Sequence, residues 1–427
     1  MKTFFTSLLI FLGFSSIAQQ PCISSDYTRG IMENNPRVAA SIREAEAFAD
    51  TYAAGIRNTQ MRDTLANEQI TIPVVFHILY NTAAQNISDA QILSQLEVLN
   101  QDFSNSNTDK ANRPGAFKNL AADVRIKFCL AQVDPSNKRT NGIIRKSTSI
   151  SLFTADDAMK IESRGGSKAW NSKKYLNIWV CPMNSRTLGY ATSPGSPAEL
   201  DGVVISYDVF GTIGTLRSNF NKGRTATHEV GHWLGMKHLW GDADCGDDGI
   251  YDTPRQKTYN FGCPSFPHVT SCSETPAGDM FMNFMDFSND ACMNMFTVGQ
   301  RNKMRAFFAA GGARNGFLTA FGCDSTLVQG GATSGSGSGS TSEAAAGSDW
   351  NAVRVYPNPV QAEMSIELKK SGVFETVEVF EMTGRPVIRQ TANQTRISIA
   401  TTGLKPGMYV VKVTAGGSVY STRFIKK

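Results

Sequence analysis

Histidine is scarce in this chain, and charge is low for its length. The 427 residues include five histidines, and charged residues make up 19%, against about 25% in typical globular proteins. Because hydrophobic residues reach 41%, the chain as a whole is too apolar to be disordered. The net charge of +5 contains no long basic run, so the composition excludes the clustered cations that nucleic-acid binding requires.

Long apolar runs are also missing. A transmembrane helix needs about 20 apolar residues, and no segment supplies them, so we expect no transmembrane segment. The first 18 residues instead predict a signal peptide: Lys2 precedes a short apolar stretch at 4–14, and small residues at 16–18 form a cleavage site. We therefore expect a secreted or surface-attached protein in an oxidising space, where the eight cysteines can form disulfides.

Composition divides the remaining chain into four parts. Residues 19–57 are polar and helix-prone, with a break at 34–36 and a helix over 41–54, and are interpreted as a pro-segment. Residues 58–325 predict an α/β (α+β) catalytic domain, with strands at 70–79, 124–133, 175–180 and 202–207 and a helix at 88–103. Residues 326–347 are a Gly/Ser-rich linker. Alternating runs and turn signals predict a small all-β sandwich over 348–427.

Three of the five histidines fall within eleven residues, in the sequence H-E-V-G-H-W-L-G-M-K-H. His228 and His232 are four apart, so both imidazoles project from one face of a helix and can reach one ion. Glu229 is placed to accept a proton from water at that ion. Gly235 permits the positive backbone angle that ends the helix and returns His238 as a third ligand. Three protein ligands with one open position are typical of catalytic zinc.

This motif is unexpected by chance: composition alone predicts a number of matches on the order of a few in a million. The alternatives are ordinary histidines on a helix, a zinc with a purely structural role, and a metal-bearing surface adhesin without turnover. A structural site would give Glu229 no role.

The extended motif and its continuation H-L-W-G-D at 238–242 resemble those of the pappalysin branch of the metzincin metallopeptidases. The resemblance covers about 70–323 and implies a mixed sheet with an active-site helix, whose upstream edge strand, near 188–191, pairs with extended protein or peptide substrates. It also implies a Met-turn, with Met285 beneath the zinc. Where relatives carry a tyrosine, this chain has Phe287, which removes a hydroxyl.

The resemblance assigns one further acidic residue. In relatives, an acidic residue at the position of Asp290 lies at the base of the pocket for the side chain after the scissile bond and selects arginine or lysine. An aspartate that merely forms a turn is the alternative.

Four cysteines and several acidic residues follow the histidines. The cysteines allow three pairings, and the resemblance implies Cys245 with Cys272 and Cys263 with Cys292. Clustered carboxylates suit Ca²⁺ or a solvated acidic loop. The resemblance favours calcium, with Asp248, Thr253 and the carbonyl of Tyr251 as ligands.

Three of the other cysteines lie well before this group in the chain. Cys22 is isolated in the pro-segment, where its thiolate could occupy the open zinc position and keep a zymogen latent; a disulfide with Cys323 or another cysteine is the alternative. Activation would then need a cut near Arg57 or Arg62. Cys129 and Cys181 lie in apolar strands and are expected to be buried free thiols.

The last 80 residues carry a second resemblance. V-Y-P-N-P at 355–359, T-G-R at 383–385 and L-K-P-G-M-Y at 404–409 resemble the sorting domain of the type IX secretion system of Bacteroidetes. This implies that the type IX machinery reads residues 348–427 and exports the chain through the periplasm. A carbohydrate-binding module is the alternative and would need an exposed aromatic platform.

Overall fold

The structure is a computed structural model that describes residues 22–58, 65, 68–320, 323, 353–368, 373–381, 386–415 and 418–427. The predicted signal peptide at 1–18 and the linker at 326–347 lie outside the described residues. The chain divides into two compact units, Met1–Gly330 and Gly331–Lys427. Among the described residues, no helix combines the length and apolarity that crossing a membrane requires.

The N-terminal segment forms two helices, α1 (Ser24–Asn34) and α2 (Pro36–Arg57). The predicted break at 34–36 separates them. Asn35 caps α2, because its side chain accepts a hydrogen bond from the Val38 backbone N–H, and proline is favourable in the first turn that follows. The predicted helix over 41–54 is confirmed and extends at both ends.

In the rest of the first unit, the residues that the structure describes form one sheet and three more α-helices. In chain order its elements are β1 (Ile70–Tyr80), α3 (Asp89–Phe103), β2 (Ile126–Leu130), β3 (Ile143–Ser147), β4 (Leu176–Cys181), β5 (Gly189–Ala191), β6 (Val203–Ser206), α4 (Arg224–Trp233) and α5 (Val298–Ala306). Short 3₁₀ helices lie at Ala83–Gln85, Thr108–Asn112, Gly115–Leu120, Ala158–Lys160, Glu162–Arg164, Tyr207–Val209 and Asn315–Thr319.

The sheet order is β2-β1-β4-β6-β5, and β3 also pairs with β1. Strands β2 and β3 pair with different parts of β1. Ile70 lies opposite Ile126 of β2, and Phe76 lies opposite Ile143 of β3. All pairs are parallel except β5 with β6. The mixed α/β class is confirmed, as are the four predicted strands and the helix at 88–103. The half-exposed β3 is an addition that the hydrophobic pattern did not predict.

The topology leaves β5 at the edge of the sheet and places α4 beside it. Helix α4 packs against β5, β6 and α3. Every residue of α4 is buried, so its polar side chains must find partners inside the protein.

One cysteine prediction is wrong. Cys129 is not a free thiol: it forms a disulfide with Cys323, and their Cα atoms are 6.0 Å apart. This bond ties β2 to the end of the catalytic unit across 194 residues of sequence. Cys181 is free and buried, as predicted.

The second unit has two antiparallel sheets. Its strands are β7 (Val353–Tyr356), β8 (Glu363–Leu368), β9 (Thr376–Glu381), β10 (Pro386–Thr391), β11 (Arg396–Ala400), β12 (Gly407–Ala415) and β13 (Ser418–Lys426). The sheets have the orders β10-β9-β12-β13 and β11-β8-β7. Five strands match predicted runs, and β10 and β13 are additions.

Both sheets of this unit contribute to one apolar core. Ile366 and Ile397 come from one sheet, and Val379 and Val411 come from the other. Phe374, Tyr409 and Phe424 are buried in or beside this core. These three rings are therefore unavailable as a platform for carbohydrate.

Candidate metal centre and active site

The candidate centre is built on α4 and the turn after it. His228 and His232 lie one helical turn apart, as predicted. The helix ends at Trp233, and Gly235, two residues later, has a φ of +78° that suits glycine; a Cβ there would lie 2.4 Å from the Phe307 ring. The chain then turns and brings His238 back to the other two histidines.

The three imidazoles converge through their Nε2 atoms. His232 Nε2 lies 3.0 Å from His228 Nε2 and 3.0 Å from His238 Nε2. Cys22 completes the group: its Sγ and one nitrogen of each histidine all lie within 4.8 Å of one another. All four residues are buried.

The other ring nitrogen of each histidine has an oxygen acceptor. Nδ1 of His228 donates to the Phe284 carbonyl (2.7 Å), Nδ1 of His232 donates to the Met236 carbonyl (2.8 Å) and Nδ1 of His238 donates to the Asp242 carboxylate (2.6 Å). These acceptors place the ring proton of a neutral imidazole on Nδ1. Each Nε2 therefore turns a lone pair toward the other two.

Three lone pairs at this spacing repel one another unless a cation lies among them. Burial keeps the rings of His228 and His232 neutral, because it lowers the pKa of His228 to about 3 and that of His232 well below its ordinary value. A donor set of three converging imidazole nitrogens fits Zn²⁺.

Met285, the predicted Met-turn residue, packs against α4. It is fully buried, and a Cβ on Gly231 of α4 would lie 2.5 Å from its sulfur. The same turn supplies the Phe284 carbonyl that orients His228. Phe287 packs its ring against His228 and His238, at centroid distances of 5.7 and 4.8 Å, so the position that lacks the hydroxyl still faces the centre.

Glu229 lies beside the histidines and contacts the N-terminal segment. Ser24 Oγ donates to Glu229 Oε2 at 2.7 Å, and the Cys22 thiol approaches the same oxygen at 3.5 Å. Glu229 Oε1 is buried without a hydrogen-bond partner. Burial raises the pKa of Glu229 to about 8, although the Ser24 and Cys22 hydrogen bonds act in the opposite direction.

The N-terminal segment also pairs with the edge strand β5. Cys22 forms a parallel bridge with Gly189, and the Ala191 N–H donates to Ser24 Oγ at 2.8 Å. The alternative of a Cys22 disulfide is wrong, because Cys22 is free and Cys323 bonds to Cys129.

Asp290 lies in a small cavity next to the centre. Leu188, His228, Glu229 and Phe287 also line this cavity. The backbone N–H groups of 222 and 224 donate to Asp290 Oδ2 at 2.8 and 3.2 Å. Burial raises the pKa of Asp290 to about 6, and these two hydrogen bonds oppose that rise.

The loop after the histidines contains the disulfides Cys245–Cys272 and Cys263–Cys292, the pairing that the resemblance implies. Most carboxylates of this loop have structural partners: Asp242 accepts from His238, Asp247 from the Gly249 N–H, and Asp252 from Thr297 and the Gly299 N–H.

Asp248 differs from the other acidic residues of the loop. Its Oδ1 accepts hydrogen bonds from Thr253 Oγ1 (2.7 Å) and the Ile250 N–H (2.9 Å), but its buried Oδ2 has no partner. Tyr251 is 54% exposed, and the Arg57 guanidinium lies 5.2 Å from the centroid of its ring.

Four groups of the site are not predicted from the sequence. Asp242 ends the H-L-W-G-D motif, and its place four residues after His238 is a local signal for a hydrogen-bond partner. Ser24 carried no signal beyond its closeness to Cys22. The Phe284 and Met236 carbonyls are backbone atoms, which side-chain identity does not reveal.

Comparisons with known proteins agree with this geometry. Residues 161–309 match the family described as pregnancy-associated plasma protein-A, Peptidase M43. An extracellular metalloprotease of Podospora anserina is 30% identical over 286 residues, which cover 63% of this chain and 83% of the relative. One of Pyricularia oryzae is 31% identical, covering 72% and 96%. The chain belongs to the pappalysin family.

Solved structures of this family agree as well. Mature mirolysin of Tannerella forsythia, in complex with a cleaved peptide, is 51% identical and matches with a TM-score of 0.58 over 59% of this chain and 96% of that chain. A promirolysin mutant of the same organism is 45% identical, with a TM-score of 0.64 over 70% and 97%. This pappalysin is therefore a zinc metalloendopeptidase.

The second unit has its own match. Residues 354–427 match the family of secretion system C-terminal sorting domains. Together with the extracellular relatives, this match identifies the pappalysin as secreted or displayed at the cell surface.

Asp242→Asn tests whether the Asp242 carboxylate supports the metal centre. Asparagine tolerates the φ of +56° at this position but offers His238 a neutral, weaker acceptor. We expect zinc affinity to fall about 10- to 100-fold, measured by competition with a chromophoric chelator. Asp244→Asn, an exposed change in the same loop, should leave the affinity unchanged. Equal affinities for both variants would contradict the role of Asp242.

Proposed function

We propose that His228, His232 and His238 hold the zinc and that Glu229 is the general base of peptide hydrolysis. The convergence of three Nε2 lone pairs beside a buried carboxylate carries this proposal. A zinc ion held there would lower the pKa of water from 15.7 to about 7 and would polarise a peptide carbonyl. Glu229 then accepts the proton of the attacking water and delivers it to the leaving amine.

We propose that an extended substrate pairs with the free edge of β5. A strand at a sheet edge presents backbone N–H and C=O groups that a peptide can pair with. The Ala191 N–H of this edge already has an acceptor in the N-terminal segment, since it donates to the side-chain hydroxyl of Ser24. Because β5 lies beside α4, and a Cβ on Gly189 of β5 would lie 3.0 Å from Glu229 Cγ, a peptide on this edge passes close to Glu229.

The same contacts support latency of the full-length chain. Cys22 occupies the fourth position around the histidines, and Ser24 binds Glu229 and β5 together. Burial and Glu229 raise the pKa of the Cys22 thiol, but a zinc ion would favour the thiolate by its charge. At Cys22, the N-terminal segment pairs with β5 in the parallel direction. Latency ends when a cut near Arg57 or Arg62 releases this segment.

A pair of variants tests both the general base, Glu229, and the latency that depends on Cys22. In the full-length chain, Cys22→Ala should increase cleavage of a denatured protein, because it removes the fourth ligand. Adding Glu229→Ala should reduce that cleavage by about 10²- to 10⁴-fold without loss of bound zinc. Cleavage is followed by gel electrophoresis and zinc by elemental analysis. Undiminished cleavage by the double variant would exclude Glu229 as the general base. Unchanged latency in Cys22→Ala would contradict the proposal that Cys22 keeps the full-length chain inactive.

We propose that Asp290 selects arginine or lysine after the scissile bond. Its carboxylate lines the cavity beside Glu229, and two backbone N–H groups fix it there. Arg224 and Lys222 favour the charged form of Asp290 electrostatically, but Arg224 forms its ion pairs with Asp102 and Asp109. Asp290 itself forms no ion pair among the described residues, so its carboxylate can pair with a cationic substrate side chain.

The pH dependence of this preference follows from Asp290. Its pKa of about 6 leaves the carboxylate charged at pH 8 and neutral at pH 5. Peptides with arginine after the scissile bond should be cleaved about tenfold or more faster, by kcat/KM, than citrulline peptides at pH 8. This ratio should fall as the pH drops through 6, and it should be near one in Asp290→Asn. A ratio independent of pH and of the variant would exclude Asp290 from the pocket.

We propose a calcium site at Asp248, Thr253 and the Tyr251 carbonyl. The partnerless Asp248 Oδ2 supports it, because a buried carboxylate oxygen without a partner is costly and a hard cation would satisfy it. Burial raises the pKa of Asp248 to about 7, whereas an acidic loop in solvent would leave the pKa near its ordinary value.

Thermal unfolding with and without calcium tests this site. At about 100 times the dissociation constant, calcium should stabilise the fold by about 2.7 kcal/mol and raise the midpoint by about 5 to 10 °C. Asp248→Asn should abolish the shift, and Asp244→Asn should retain it. A wild-type midpoint that does not respond to calcium would contradict the site.

We also propose that the type IX secretion machinery recognises residues 348–427. The sorting-domain match over 354–427 supports this assignment.

A further inference from the structure

A tyrosine of the N-terminal segment occupies a socket in the catalytic unit. Tyr27 of α1 is buried, and it packs against Tyr190 of β5 at a centroid distance of 4.7 Å. We define the Tyr27 socket by the residues around this side chain, which are Asp157, Met159, Lys160, Trp179 and Tyr190.

The far end of the socket is polar and specific for a hydroxyl group. The Tyr27 hydroxyl donates to the Asp157 carboxylate, at 2.9 and 2.8 Å from its two oxygens. The same hydroxyl accepts a hydrogen bond from the Lys160 ammonium at 3.2 Å. Lys160 also pairs with Asp157 at 2.8 Å, so the two charges balance and the socket suits a neutral group.

The walls of the socket are aromatic. The Lys160 ammonium lies 5.5 Å from the centroid of the Trp179 ring and 5.0 Å from that of Tyr190. Asp157 has a left-handed backbone conformation, with a φ of +61°. The Tyr190 hydroxyl donates to its Oδ1 at 3.3 Å. All these residues belong to the catalytic unit and stay with it when the N-terminal segment is released.

Release of that segment leaves two polar groups of the socket without their partner. The Lys160 ammonium has three donors, which are used by Asp157, the Leu200 carbonyl and Tyr27. Without Tyr27, one donor of a buried lysine and part of the Asp157 carboxylate lose their hydrogen bonds. A flat ring with a hydroxyl at its end restores both hydrogen bonds.

The socket also lies along the proposed path of the substrate. Leu188, which directly precedes β5, lines the cavity of Asp290, whereas Tyr190 of β5 lines the Tyr27 socket. Beyond Tyr190, Ser193 contacts Thr28 of α1 at 3.1 Å. If the Asp290 cavity receives the residue after the scissile bond, the socket lies on the side of the residues before it.

We propose that the Tyr27 socket is a binding site for a tyrosine side chain located before the scissile bond of the substrate. This inference rests on the proposed endopeptidase function with β5 as the substrate edge. The pro-segment thus fills with its own tyrosine the pocket that a substrate tyrosine enters after activation.

Peptide cleavage by the activated protein tests this site. The zinc-loaded protein cut at Arg57 or Arg62 is given peptides cleaved before arginine, with tyrosine moved from the second to the fifth residue upstream of that bond. Each tyrosine peptide has a phenylalanine twin. At one position we expect kcat/KM to be about tenfold higher for tyrosine, because phenylalanine leaves the Asp157 and Lys160 groups unpaired.

Two neighbouring variants separate the socket from other causes. Asp157→Asn should bring the tyrosine-to-phenylalanine ratio close to one, and asparagine tolerates the φ of +61° at this position. Asp156→Asn changes an exposed carboxylate paired with Arg164 and should keep the ratio. Because the ratio compares two substrates of one enzyme, a general loss of stability or activity does not imitate the effect.

Peptide cleavage distinguishes a protein that lacks the tyrosine site from one that lacks the proposed endopeptidase activity. Equal cleavage of the tyrosine and phenylalanine peptides at every position would overturn the socket and leave the endopeptidase intact. A tyrosine preference that survives in Asp157→Asn would also overturn it. Cleavage of no peptide at all would overturn the proposed function, and the socket with it.

Discussion

The repulsion among three buried histidine lone pairs is the constraint on which the site depends. Each Nδ1 is tied to an oxygen, so the rings cannot turn their protons inward to relieve that repulsion. The tethers come from three different places: the Met-turn, the turn after Gly235 and the loop that contains Asp242. The centre therefore requires the whole catalytic unit to be folded around α4. A cation bound among the three Nε2 atoms would offset the repulsion between their lone pairs.

The N-terminal segment uses the same features that a substrate would use. Cys22 offers a soft ligand to the centre, Ser24 bonds both Glu229 and the β5 edge, and Tyr27 fills a socket on the same edge. These contacts lie within one short stretch at the start of α1. A segment anchored at three points of the cleft competes well with substrates while it is covalently attached, because its local concentration is high. Once it is cut, that advantage disappears.

The parts of the site that depend on local spacing were predictable from the sequence. The positions of His228, His232 and His238 follow from the helical period and one glycine turn, and the Met-turn and the two loop disulfides followed from family resemblance. Features created by long-range contact were not predictable. The Cys129–Cys323 bond joins residues 194 apart, and the sheet topology, not a spacing pattern, brings them together. Likewise, nothing near Tyr27 in the sequence indicates Asp157 or Lys160, which are over 100 residues away.

Two buried polar atoms without partners lie at sites with a proposed function. A folded chain normally pairs its buried polar groups, because each unpaired group costs about 1 to 3 kcal/mol. Glu229 Oε1 and Asp248 Oδ2 are two of nine such atoms among the described residues, and each lies where a proton or a cation is proposed to bind. Apolar replacements at these two positions would remove that cost, but they would also remove the groups proposed to bind the proton and the cation. Helix α4 is buried along its whole length, so close-packed neighbours surround Glu229 without pairing with its Oε1.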